Sequence, residues 1–228
     1  DCWTPMIFAS LSVAVALKTG LFNIGVSGQM LAAGFITTIT VGYSTLSAPI
    51  AKPLVILVAA VVGALVGGLI GFLKYRFNIN EVVSSIMLNY IIEYVVGFFI
   101  NTRYVNPISR QSQTVSSEAR LTLSGTKIGD LKFDIPLGII LAVIVVIIVK
   151  YIFDRTVLGY ELKAVGSNQK ASRYAGIPVG KNMILAMMIS GLLAGLAGAS
   201  YYLGYYASIQ PKVLSSTGFD AIAVAILG

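Results

Sequence analysis

The chain has 228 residues, 57% hydrophobic and 11% charged, with mean hydropathy +0.86 and formal net charge +7. A soluble domain carries roughly 25% charged residues, and several stretches here reach the ~20 apolar residues that cross a bilayer. The lack of histidine and the single cysteine, Cys2, exclude zinc-hydrolase and Ser-His-Asp chemistry, an intramolecular disulfide and a multi-thiolate metal site.

The pattern predicts an all-α, polytopic transmembrane bundle of six spans and the start of a seventh. Trp3–Leu17 is the first span and ends at Lys18. Phe22–Tyr43 is the second. It opens with Asn23-Ile-Gly-Val-Ser-Gly-Gln29, which crowds weak helix formers at a membrane boundary. Either this is a capped helix start, or residues 22–43 form a discontinuous helix whose free backbone groups line a substrate path. Pro53–Leu73 is the third span and Glu81–Ile100 the fourth. A polar loop follows, Asn101–Asp134, with Arg103, Arg110, Glu118 and Arg120. Ile135–Phe153 is the fifth span, Asn182–Leu203 the sixth, and Ser215–Gly228 begins the seventh. With no Met at Asp1 and a stop inside an apolar run, the sequence reads as an internal piece of a longer protein.

Between spans five and six lies the basic segment Asp154–Lys181. Asn168–Ala175 suits about two helical turns, with Ser167 as N-cap and Gly176 as the stop. A helix this short is unstable alone in water, so docking into a partner is expected. Placing this segment in the cytoplasm also puts Lys18 and the Lys74–Asn80 turn there, and the Lys and Arg excess on that side is small. Basic residues flanking spans answer to the lipid bilayer and not to nucleic acid.

Span four carries Glu81, Ser85, Asn89 and Glu93 at four-residue spacing, one slanting polar seam that faces a bundle interior or wet cavity. Glu81 in a first turn also complements the helix dipole. Gly63, Gly67 and Gly71 in span three, and Gly191 and Gly195 in span six, suit close helix packing, either inside the bundle or at a dimer seam. A faint echo links Gly20-Leu-Phe-Asn23 to Thr217-Gly-Phe-Asp220, as an inverted repeat would.

Four stretches, Leu21–Met30, Asn80–Ile91, Gly159–Ile177 and Gly218–Gly228, together resemble the permease subunits of ABC importers that serve ribose, branched-chain amino acids and nucleosides. Asn23-Ile-Gly-x-x-Gly-Gln29 is most similar to the nucleoside branch. The resemblance implies a single permease domain in a bacterial cell membrane that makes and breaks no substrate bond. Its expected partners are a second permease subunit, a cytoplasmic ABC ATPase and an extracytoplasmic substrate-binding lipoprotein. The chain would hold no cofactor, with ATP and Mg on the ATPase; consistently, it has no GxxxxGK[ST] loop. Expected path residues are Asn23, Ser27, Gln29, Ser85, Asn89, Glu93, Phe219 and Asp220. Tyr160, Glu161, Ala164, Gly166, Ala171, Tyr174 and Gly176 would couple to the ATPase. The alternative is an ion-coupled secondary transporter of a small polar solute, which needs several mid-membrane carboxylates where Glu93 and an edge residue, Asp220, are on offer. An intramembrane enzyme would need converging catalytic groups.

Overall fold

The computed structural model describes residues 3–44, 47–104, 111–115, 122–128 and 131–227. Cys2, Arg110, Glu118, Arg120 and Gly228 lie outside them. The described residues form a helical bundle with one β-hairpin in its longest loop. α1 (Trp3–Lys18) is followed by an extended stretch, and α2 (Val26–Thr37) continues as a π-helical turn over Thr38–Gly42. α3 (Ala48–Phe77) and α4 (Glu81–Phe99) come next, the latter extended by a π turn to Tyr104. β1 (Thr122–Ile128) and β2 (Leu131–Pro136) pair antiparallel, with Ile128 opposite Leu131. α5 (Leu137–Arg155), α6 (Val157–Ser167), α7 (Gln169–Tyr174), α8 (Val179–Ala199, π-helical on to Tyr206) and α9 (Thr217–Leu227) complete the chain. Among the described residues, three helices are long and apolar enough to cross a membrane: Pro49–Phe77, Glu81–Tyr104 and Val179–Tyr206.

α8 is the axis of the bundle. It is buried on nearly every side, and α1, α2 and α3 pack around it. The glycine stripes settle the choice between bundle and dimer seam, because they face each other inside the bundle. A Cβ on Gly63 would run into the Gly191 carbonyl, one on Gly67 into that of Met187, and one on Gly195 into that of Ala59. Only glycine lets the α3 and α8 backbones approach this closely.

The two ends of the bundle separate the loops. At one end the Gly20 turn lies against Gly166 of α6, and Glu161 Oε2 accepts a 2.9 Å hydrogen bond from Asn182 Nδ2 of α8. At the other, the Ser112 and Val115 N–H groups donate to the carbonyls of Ile209 and Ala207, joining the long loop to the α8–α9 connection.

The basic segment differs from the sequence expectation. It holds two helices, and the cap of the second is Asn168 instead of Ser167. α6 runs through Ser167, so the extended residue between the helices is Asn168, with φ −158°. Its Oδ1 accepts from the Lys170 and Ala171 N–H groups, both at 3.0 Å. Gly176 ends α7 at φ +79°, where Gly176 N–H bonds to the Arg173 carbonyl and Ile177 N–H to that of Ser172. Paired bonds of this kind satisfy the last free carbonyls of a helix, and the positive φ suits glycine.

Candidate functional site

After α1 the chain turns at Thr19–Gly20 and runs back into the bundle as an extended segment, so α2 begins in the interior. The depth follows from Asn23, which reaches Ser190 of α8, about 16 Å along that helix from Val179 at 1.5 Å per residue. Asn23 Nδ2 donates to Ser190 Oγ at 2.8 Å and to Gln29 Oε1 at 3.0 Å. Its Oδ1 accepts from the Gly25 N–H at 2.9 Å and from Gln29 Nε2 at 3.2 Å. Ser190 Oγ and Ser12 Oγ donate to each other's backbone carbonyls across α8 and α1, at 2.8 and 2.7 Å. Asn23, Gln29, Ser12 and Ser190 are all fully buried. The full amide capacity of Asn23 is thus spent on holding the break.

Of the α4 seam, Asn89 reaches this stretch. Asn89 Oδ1 accepts the Gly28 N–H at 3.0 Å, and Asn89 Nδ2 donates to the Ile24 carbonyl at 3.1 Å. Both are backbone groups that no helix would otherwise satisfy. Ser85 is buried and donates back to the Glu81 carbonyl at 2.6 Å, a bond within its own helix. Glu81 pairs with Lys74 at 2.8 Å. Glu93 is half-buried and has no hydrogen bond or ion pair among the described residues.

A second interrupted stretch, Gln210–Ser216, comes to the same point. Ser27 Oγ donates to the Ser215 carbonyl at 2.9 Å. A Cβ on Gly218 would run into the Ser27 hydroxyl, so the first turns of α2 and α9 abut. Ser216 accepts the Phe219 and Asp220 N–H groups at 2.8 and 3.0 Å and starts α9; both those side chains are exposed. The echo noted in the sequence does not align in space, since Asn23 precedes its helix while Asp220 lies within the first turn of α9.

Ser215 and Ser216 also floor a cavity of about 290 Å³ walled by Tyr201, Tyr202, Tyr206 and Gln210. The Tyr201 ring stands edge-on to Tyr202 at 5.0 Å and lies 4.8 Å from Tyr206. Tyr202 is otherwise buried, packed so tightly over Gly34 of α2 that a Cβ there would enter its ring. The π-helical turn Ser200–Tyr206 presents these rings, and such distortions recur at functional sites. The sequence reasoning missed the tyrosines, Gln210, Ser12, Ser190 and Ser215. The run Tyr201-Tyr-Leu-Gly-Tyr-Tyr206 reads in isolation as an interfacial aromatic belt.

The residues expected to couple to a partner gather at the opposite end. Tyr160 and Ala171 are exposed, Tyr174 is 95% exposed, and Glu161 and Ala164 are half-buried. Gly166 packs on the Lys18 carbonyl. Within α7 only Ser172 is buried.

The family described as "Branched-chain amino acid transport system / permease component" matches residues 3–228. The chain belongs to this permease family. Its relatives include the guanosine ABC transporter permease protein NupP of Bacillus subtilis, 40% identical over 99% of this chain and 65% of its own. The nucleoside ABC transporter permease protein NupB of Lactococcus lactis is 38% identical over 98% of this chain and 64% of its own. The glucose ABC transporter permease protein TsgB13 of Haloferax volcanii is 30% identical over 98% of this chain and 61% of its own. The chain therefore spans somewhat under two thirds of the length of these relatives. No solved structure matches it. With its apolar helices, this permease is a membrane protein.

Proposed function

We propose that this permease is the membrane-spanning subunit of an ATP-driven importer that carries a nucleoside into the cell by alternating access. The observation that carries the reading is the meeting, in the bundle interior beside a tyrosine-walled cavity, of the N-terminal ends of α2 and α9, each entered from a non-helical stretch. Irregular backbone at membrane depth is tolerated where it lines a cavity, and helix ends that meet there are how transporters build a path. The cavity favours a nucleoside over a simple sugar. Tyrosine faces stack on a flat base, worth about 1–3 kcal/mol per base, while Gln210 and the serines can hydrogen-bond ribose hydroxyls. Nucleosides also appear in the names of two of the relatives.

The permease makes and breaks no substrate bond; what changes is the face to which the path opens. The exposed surface of α6 and α7, with Tyr160 and Tyr174, is the seat for a cytoplasmic ATPase that holds the ATP and Mg. A second permease subunit and an extracytoplasmic binding lipoprotein complete the assembly, in a cell membrane that the chain crosses several times.

The test is uptake of radiolabelled guanosine by the full-length protein, co-reconstituted with its ATPase and binding protein in sealed vesicles. Uptake should require ATP and be indifferent to protonophores. Accumulation driven by an ion gradient without ATP would overturn the importer reading. ATP-driven uptake of glucose in place of guanosine would overturn the substrate and keep the class.

A further inference from the structure

A groove between α1, α5 and α6 lies outside this path. α1 and α5 run side by side in the same direction. At one end a Cβ on Gly138 would come within 2.9 Å of Thr4 Cγ2. At the other, side chains of both helices and of α6 line an open cleft of about 280 Å³. Its wall is hydrocarbon, from Leu11, Ala14 and Val15 of α1 and Val146, Val149 and Phe153 of α5.

Its rim is charged, with Lys18, Lys150, Lys163 and Asp154. Lys163 Nζ lies 3.2 Å from Asp154 Oδ1. Lys18 and Lys150 have no hydrogen-bond or ion-pair partner among the described residues. The groove therefore offers two free ammonium groups and then, from Lys18 back to Leu11, about 10 Å of apolar wall at 1.5 Å per residue. A matching occupant is anionic at one end and hydrocarbon along the rest. A free phosphate would leave the wall unused, and a peptide would bring backbone groups that the wall cannot satisfy.

We propose that this groove binds one anionic phospholipid, with its phosphate between Lys18 and Lys150 and an acyl chain along Leu11 and Val146. Basic pockets between membrane helices take such headgroups by charge. Because Lys163 belongs to α6, the bound headgroup sits against the helix that leads into α7.

The test uses the full-length permease extracted from vesicles of phosphatidylglycerol and phosphatidylcholine, with retained lipid counted by native mass spectrometry. The unaltered protein should retain phosphatidylglycerol in preference. The pair K18Q/K150Q should weaken that retention roughly twenty-fivefold, at about fivefold for each lysine near a membrane surface. K18R/K150R should keep it. K170Q/R173Q, on exposed α7, should leave it unchanged. Equal unfolding midpoints in pure phosphatidylcholine separate lost lipid from lost fold. Unchanged retention in K18Q/K150Q overturns the proposal, and is the result if another stretch of the polypeptide or a second copy fills the groove. Displacement of the lipid by inorganic phosphate overturns it in favour of a free-anion site. An equal loss in K170Q/R173Q overturns it in favour of diffuse surface charge.

Discussion

Asn89 closes two backbone groups that the break before α2 leaves open, the Gly28 N–H and the Ile24 carbonyl. An interhelical side-chain bond in a membrane is worth about 0.6 kcal/mol on average, whereas an unsatisfied backbone group there costs several. The backbone term dominates, so Asn89→Leu should destabilise the permease by about 2–6 kcal/mol for two orphaned groups. Thermal unfolding in detergent measures this; an unmoved midpoint would mean that water replaces the amide. Glu93 lies one turn further along α4, half-buried and without a partner among the described residues. Glu93→Gln keeps its shape and removes its charge. Nucleoside uptake should fall while the complex stays intact on size-exclusion chromatography. Full uptake by the variant would make the end of the seam packing and not path.

At the scale of elements, α7 tests the docking reading most directly. It buries only Ser172 and leaves Tyr174 almost wholly in solvent, an unusual place for an aromatic ring unless something covers it. Tyr174→Ala should lower recovery of the ATPase in a pull-down and abolish uptake, with insertion unaffected. Normal recovery together with normal uptake would remove α7 from the interface. The elements also mark how far the sequence could be read. Of the two readings open for residues 22–43, the structure shows a helix start, at Val26 after the extended residues 21–24, and the crowding of Asn23, Gly25, Ser27 and Gly28 marked the place. What holds it was not legible, because its partners Ser190 and Ser215 lie 167 and 188 residues from the side chains they meet. α6 escaped for a local reason. Gly159 and Gly166 weaken its helical pattern, yet both are sites of close backbone approach, to Ile152 and to Lys18. The seam of α4 was legible as a face, but Ser85 turns back on its own helix while Asn89 reaches across.

For the whole molecule, the loops fall at two ends. α6 and the Gly20 turn are at one, and the Ser112–Val115 strip with the α8–α9 connection is at the other. Cysteines placed at Ser167 and at Thr114 should therefore label from opposite sides of sealed cells, the first only after permeabilisation. Labelling of both from outside would reject the arrangement. The interlocked glycines of α3 and α8 carry a mechanical consequence. A slide of one helix past the other by one turn, about 5.4 Å, would set Ala59 against the Gly191 carbonyl in one direction and Tyr75 in the place of Gly71 in the other. The pair is therefore a spar that resists sliding, and whatever moves must pivot about it at the non-helical stretches before α2 and α9. A thiol cross-link between Gly68→Cys and Met188→Cys, across the spar, should leave uptake intact. One between Ser27→Cys and Ser215→Cys, across the joint, should stop uptake until it is reduced. The reverse result would make α3 and α8 the moving parts and the joints the fixed frame.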